Sequence, residues 1–191
     1  LYISNSGIYR LISIFIGISK LLLICLRILI TVFSLYQRLP DVISFGTPLL
    51  FADDAKIFAN VTCISDCQAL QKDLDALQNW CTQWKLDVNV SKCEVLTISK
   101  KRNLVTFDYN INGILVEKTD SFKDLGIFIQ DNISWINHIK SIAAKAYRIK
   151  RTVGFNAPLK VKLQLYTTLV RSQLEYCTQS WNSLTRGNKA Y

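Results

Sequence analysis

Apolar residues between positions 64 and 84 recur at Leu70, Leu74, Leu77, Cys81 and Trp84, in steps of four, three, four and three. That spacing puts one stripe on one face and predicts an amphipathic helix. Ser65 and Gln68 have capping-box spacing at its start, and Lys72, Asp73, Gln78 and Asn79 are read as its solvated face. Just before the helix, two apolar runs at 49–52 and 55–59 flank the adjacent carboxylates Asp53 and Asp54. The pattern is a short β-hairpin with both acids at its tip. Beyond the helix, residues 86–90 alternate like a half-buried strand, and 94–99 read as another after a turn at Ser91-Lys92-Cys93. Residues 104–111 and 114–118 are joined by Asn112-Gly113, a strong hairpin signal, and 121–130 read as one strand with Gly126 inside it. From Ser134 the period becomes helical: Ile139, Ile142, Ala146, Ile149 and Val153 make one stripe, with Lys140, Arg148 and Arg151 on an arc away from it. Pro158 at a first helical position predicts a second helix to about Tyr176.

The N-terminal tract has no such alternation. Residues 11–37 are almost continuously apolar, broken by Lys20 and Arg27. Each central cation costs ~2.5–3.5 kcal/mol on insertion scales, whereas each Leu, Ile or Phe returns ~0.3–0.6. The fourteen Leu, Ile and Phe residues in 11–30 therefore bring the balance near zero. An apolar helix is expected, either spanning a membrane or lying at its surface with both cations on one face.

Composition and charge change this picture in two ways. The chain of 191 residues is half hydrophobic and poor in Gly and Pro, as a domain with a real core requires, but it starts at Leu1 and has no Met. It is therefore expected to be a fragment or a degraded copy. The net charge of +9 is also uneven: residues 41–80 hold six acidic and two basic side chains, whereas 131–191 hold ten basic and two acidic. An acidic centre beside a basic arm suits a polyanionic partner. Six cysteines with one histidine, His138, lack zinc-finger spacing and are read as free thiols of an intracellular protein, nuclear or cytoplasmic unless residues 11–37 hold it at a membrane.

Two readings of Asp53 and Asp54 stand side by side. One is a turn that favours Asp. The other is a site for a hard divalent cation such as Mg²⁺ or Mn²⁺, which takes carboxylate oxygens and clamps the reacting oxygens of phosphoryl transfer. The surrounding motifs favour the second. Phe51-Ala52-Asp53-Asp54, then Asn89-Val90-Ser91-Lys92-Cys93-Glu94, Phe122-Lys123-Asp124-Leu125-Gly126-Ile127, Trp135-Ile136-Asn137-His138-Ile139, and the run 165–176 occur in an order that resembles the C-terminal palm and thumb of reverse transcriptases from non-LTR, jockey-like retrotransposons.

The resemblance covers about residues 39–181 and implies an α+β fold. Residues 39–130 would form a partial antiparallel palm sheet with a crossing helix, 131–191 a helical thumb, and 1–38 an apolar N-terminal helix, frame-shifted or foreign in origin. It implies that Asp53 ligates catalytic Mg²⁺ or Mn²⁺ with support from Asp54, and that Lys92 acts as a general acid or steadies pyrophosphate, unless it is simply solvated. Leu125 and Gly126 would approach the primer end, and Lys140, Arg148 and Arg151 would hold the phosphate backbone. Partners would be an RNA template, a DNA primer, deoxynucleoside triphosphates and the missing palm and fingers.

Departures are equally informative. The family's further metal-binding Asp from an upstream strand and its Pro-Gln-Gly segment are not found here, and Gln37-Arg38 stand where the family has Asn-Asp. Two carboxylates alone do not hold two metal ions, so the isolated chain is expected to be inactive. With part of the palm missing, an exposed strand edge or apolar patch is also expected.

Overall fold

The computed structural model of the protein describes residues 8–17, 39–51, 54–101, 103–153 and 157–181. The chain divides into two compact units, Leu1–Phe122 and Lys123–Tyr191.

The first unit is built on a sheet. Its strands are β1 (Ile8–Gly17), β2 (Thr47–Phe51), β3 (Asp54–Asn60), β4 (Asp87–Val88), β5 (Glu94–Ser99) and β8 (Glu117–Thr119). They lie in the order β2-β3-β1-β5-β8, with β4 also pairing with β1. All pairs are antiparallel except β5 with β8. The N-terminal tract is corrected here. Where an apolar helix is expected, residues 8–17 form the central strand of the sheet. The reason is burial on both faces: Ile12 and Ile14 are 0 % exposed, and Ile8 and Leu11 are buried as well. A strand covered on both sides is a continuous apolar run, and periodicity does not separate it from a buried helix. Residues 18–38, with Lys20 and Arg27, lie outside the described residues. Among those described, no helix is long and apolar enough to cross a membrane.

The predicted amphipathic helix is α1 (Ile64–Gln83). Leu70, Leu74, Leu77 and Cys81 are buried in the main core with Cys67 and Trp80, against Ile12, Ile14, Ala55, Ile57 and Val95 of the sheet. The cap is shifted from the expected one. Asp66, in the first turn, accepts hydrogen bonds from the Thr62 N–H (2.7 Å), the Thr62 hydroxyl (2.7 Å) and the Cys63 N–H (3.2 Å). Those bonds, the Thr62 hydroxyl first, hold its carboxyl down at about 2. Gln71 reaches out of α1 to the 110 position: its amide donates to the Asn110 carbonyl at 2.9 Å and accepts from the Asn110 N–H at 3.0 Å. This pins the small hairpin of β6 (Asn110–Ile111) and β7 (Ile114–Leu115) to the helix.

That hairpin turns at Asn112-Gly113 as expected, both at positive φ (56° and 72°), but its strands are only two residues long. Positive φ at both central residues matches the right-handed twist of the flanking strands. The expected single strand over 121–130 is instead a two-stranded sheet, β9 (Ser121–Asp124) and β10 (Ile127–Gln130), turning at Leu125-Gly126. Both turn residues have positive φ, 44° and 89°. Gly126 therefore marks a reversal, not a bulge within a strand.

In the second unit, α2 (Ile136–Val153) carries the predicted stripe on its inner side, with Ile142 buried and Ile139, Ala146 and Ile149 half-buried. Then come α3 (Leu159–Leu165), a π-helical stretch Tyr166–Arg171, α4 (Ser172–Glu175) and α5 (Thr178–Trp181). Pro158 is the residue before the first turn of α3. The Tyr176 hydroxyl donates to the Leu125 carbonyl at 3.0 Å, so the β9–β10 turn is held from the helical side of the same unit.

Candidate functional site

The acidic hairpin forms as the alternation predicts. Phe51 and Asp54 are cross-strand partners in β2 and β3, so the chain reverses between them. Asp54 is half-buried at the start of β3, and Asp53 lies outside the described residues. The hairpin is approached through a clamp that sequence reasoning missed. Asp73, read as solvated, is 1 % exposed and accepts from the Ser44 N–H (2.9 Å), the Ser44 hydroxyl (3.0 Å), the Phe45 N–H (3.0 Å) and the Gly46 N–H (2.7 Å). Four donors converging on one buried carboxylate fix the segment that enters β2. On the helical wheel Asp73 stands about 60° from Leu70, at the border of the apolar stripe, which was the available signal.

Topology brings further candidates to the same end of the sheet. β1 runs between the start of β3 and the short β4, with Phe15 opposite Asp54, Ile16 opposite Val88 and Gly17 opposite Asp87. Lys92 ends a 3₁₀ turn, Val90–Lys92, immediately after β4. Its N–H donates to the Asn89 carbonyl at 3.0 Å, and Asn89 in turn accepts from the Ser91 hydroxyl at 2.7 Å. The next strand, β5, begins at Glu94 opposite Ser13. Asp54, Asp87, Lys92 and Glu94 thus gather at one sheet end by register. Lys56, a buried lysine that the sequence pattern did not single out, stands opposite Ser13 and Leu49 one rung further in.

Of the expected Asp53–Asp54 pair, Asp54 alone is among the described residues. Asp54 faces Phe51 on one neighbouring strand and the Phe15 position on the other, and β1 carries no acidic residue. Among the described residues no group of three His, Cys, Asp or Glu side chains could hold a metal ion.

The other candidates lie in the second unit. Leu125 is exposed at the β9–β10 turn with its carbonyl held by Tyr176, as above. Lys140, Arg148 and Arg151 are exposed on α2, as the wheel predicts. Arg148 and Arg151 share an exposed face of α2 with Ala144, Tyr147 and Thr152. On the opposite side of α2, His138 is 2 % exposed. Its Nδ1 accepts from the Phe128 N–H at 3.5 Å, and its ring meets Trp181 edge-on at 5.1 Å. Burial, and then the charge of Lys145, push its pKa below the usual imidazole value.

The described cysteines are free thiols. Cys67, Cys81 and Cys93 are buried, Cys177 is partly exposed and Cys63 is exposed. Burial beside Asp87 pushes the Cys81 thiol up to about 12, so it is an inert core residue.

No protein-family model matches the chain. It is similar to curated RNA-directed DNA polymerases of mobile elements. These include the polymerase from mobile element jockey of Drosophila funebris (28 % identity over 144 residues, 71 % of this chain) and of Drosophila melanogaster (27 % over 137 residues, 68 %). A probable RNA-directed DNA polymerase from transposon BS of Drosophila melanogaster is 25 % identical over 149 residues, 72 % of this chain. The matched regions span only 16 %, 15 % and 16 % of those relatives.

Proposed function

We propose that this chain is a palm-and-thumb piece of a mobile-element reverse transcriptase that binds nucleic acid and, by itself, does not carry out nucleotidyl transfer. Palm residues would run over 39–130 and thumb residues over 131–191. In the parent reaction Asp53 and Asp54 would ligate Mg²⁺ or Mn²⁺, Lys92 would steady the leaving pyrophosphate, and Leu125-Gly126 would meet the primer end. Lys140, Arg148 and Arg151 would grip the template–primer backbone. Similarity to mobile-element polymerases supports the origin.

The register of β1 carries the inactivity: the strand beside the acidic hairpin sets Phe15 opposite Asp54 and supplies no carboxylate. Phosphoryl transfer rests on positioning and charge stabilisation by metal ions, so a hairpin with no carboxylate on the strand beside it would leave the reaction without its main source of rate. The missing oxygen ligands would have to come from the rest of the parent polymerase.

The test is a primer-extension assay on an RNA template with deoxynucleoside triphosphates and Mg²⁺ or Mn²⁺, run beside a binding titration at several salt concentrations. We expect no extension, salt-dependent binding, and a slope of log Kd against log salt that falls by about one for each of Lys140, Arg148 and Arg151 replaced by Gln. Asp54→Asn should leave that binding unchanged. Robust synthesis by this chain would overturn the inactivity, and binding indifferent to salt would overturn the basic face.

A further inference from the structure

Among the described residues, two hairpins turn on a pair of residues that both have positive φ: Asn112-Gly113, at 56° and 72°, and Leu125-Gly126, at 44° and 89°. Asn and Gly take up that conformation readily, whereas the Cβ of a leucine crowds the following carbonyl oxygen there. Leu125 is also 44 % exposed, so packing does not compensate for the crowding. A side chain that breaks the local rule and gains little burial belongs to a turn that is held from outside.

The holding group is Tyr176, 51 positions away, whose hydroxyl donates to the Leu125 carbonyl at 3.0 Å. Its ring lies beside the second turn residue: a Cβ at Gly126 would stand 3.6 Å from Cε1 of Tyr176. Tyr176 reaches the turn because α4 stops just before it. Its ψ is 122°, outside the helical range, and Cys177 follows at a φ of 52°. Trp181 fixes that departure, since its Nε1–H donates to the Tyr176 carbonyl at 2.8 Å. The Trp181 ring in turn meets His138 edge-on, and His138 accepts from the Phe128 N–H of β10. The β9–β10 hairpin is therefore tied at its turn and along one strand to the same short stretch, Tyr176–Trp181.

We infer that Tyr176 is a positioning residue, whose hydroxyl holds the Leu125-Gly126 turn in the left-handed conformation that meets the primer end. The role rests on the reading of that turn proposed above and adds the residue that sets its geometry. A single exposed hydrogen bond between neutral groups is modest. It is sufficient here because a crowded leucine leaves other turn conformations close in energy, and a modest bond then decides which one is populated.

Tyr176→Phe keeps the ring and removes only the donor, so the test uses the full chain and this variant. Amide hydrogen exchange at Leu125, Gly126 and Ile127 reads the turn without nucleic acid, and should be roughly three- to tenfold faster in the variant. Fluorescence anisotropy then compares a primer–template with a recessed 3′ end and a closed dumbbell of the same sequence that has no end. Wild type should prefer the recessed end. Tyr176→Phe should lose roughly three- to tenfold of that preference, with dumbbell affinity and salt slope unchanged. If the variant keeps the preference, or weakens both probes alike, the positioning role falls and the primer-end reading stands. Lost preference with unchanged exchange would make the hydroxyl a direct contact and overturn positioning. Equal binding of the two probes by wild type would overturn the primer-end reading, and the role of Tyr176 with it.

Discussion

Asp73 shows how a single side chain can set the geometry of a site it does not belong to. It accepts from two atoms of Ser44 and from the N–H groups of Phe45 and Gly46, and so holds the approach to β2 against α1. A hydrogen bond to a buried charge is worth ~1.5–3 kcal/mol, but Ser44 and Phe45 are exposed enough for water to replace part of the loss. Asp73→Ala should therefore cost about 2–4 kcal/mol, read as a lower urea midpoint at unchanged slope. A midpoint within experimental error of wild type would mean that the clamp is idle. Gly46 is constrained at the same spot by space: a Cβ there would lie 2.3 Å from Cγ2 of Ile57 and 3.4 Å from the Asp73 carboxylate. A buried polar residue at the edge of an apolar stripe is hard to read from sequence, because its partners, residues 44–46, lie 27 to 29 positions away. Only the fold brings them into reach.

At the scale of elements, local rules worked where local forces decide. The stripe of α1 from Leu70 to Cys81, the strand 94–99, the turn at Asn112-Gly113 and the stripe of α2 were legible, since each is set by periodicity or by the φ demands of a two-residue turn, whereas Trp84, expected on the α1 stripe, caps the helix and is exposed. The acidic hairpin was legible for the same reason, and so were Lys140, Arg148 and Arg151 on the outer arc of α2. β1 was not, because a run apolar on both sides has no period to read. The 121–130 segment was misread because Leu125 adopts a positive φ that its side chain disfavours, leaving Gly126 as the only visible cue to a turn. His138 was missed as a packed residue although it stands one turn before Ile142 on the α2 stripe. Its burial gives α2 and its neighbours a pH dependence with a definite sign. The folded-state pKa is depressed below the usual imidazole value of about 6.5, so the unfolded chain binds the proton more tightly. Stability is fully present above about pH 6.5 and is lost as pH falls through the folded-state value. Urea midpoints reported by Trp fluorescence should drop between pH 7.5 and 5.5, and His138→Gln, which keeps an acceptor but does not titrate there, should flatten that drop. An equally steep profile in the variant would assign the effect to other groups.

The whole molecule has two consequences of its sheet order. Among the described residues β2 is an edge, and it carries Phe51 at 59 % exposure along with the exposed Leu49. Such an edge pairs with other chains unless charge blocks it. Leu49→Lys with Phe51→Glu should raise solubility and reduce self-association in sedimentation velocity, and no change would show that the edge is already silent. The second consequence concerns the segment of uncertain origin. If residues 1–35 were a foreign or frame-shifted addition to an otherwise self-sufficient palm, removing them would leave the rest intact. The strand order argues otherwise: β1 separates β3 from β5 and pairs with both along most of its length. Ile12 and Ile14 also lie in the main core with the α1 stripe. A chain starting at Tyr36 would leave β3 and β5 without the partner between them and open the core above Leu70 and Leu74. Each fully buried Ile that is lost removes roughly 2–5 kcal/mol of burial and packing, against a total stability of ~5–15 kcal/mol for an ordinary domain. The truncated chain should therefore show no cooperative thermal transition by circular dichroism, whereas the full chain should show one. A truncated chain that unfolds cooperatively near the full chain's midpoint would return β1 to the status of an appendage.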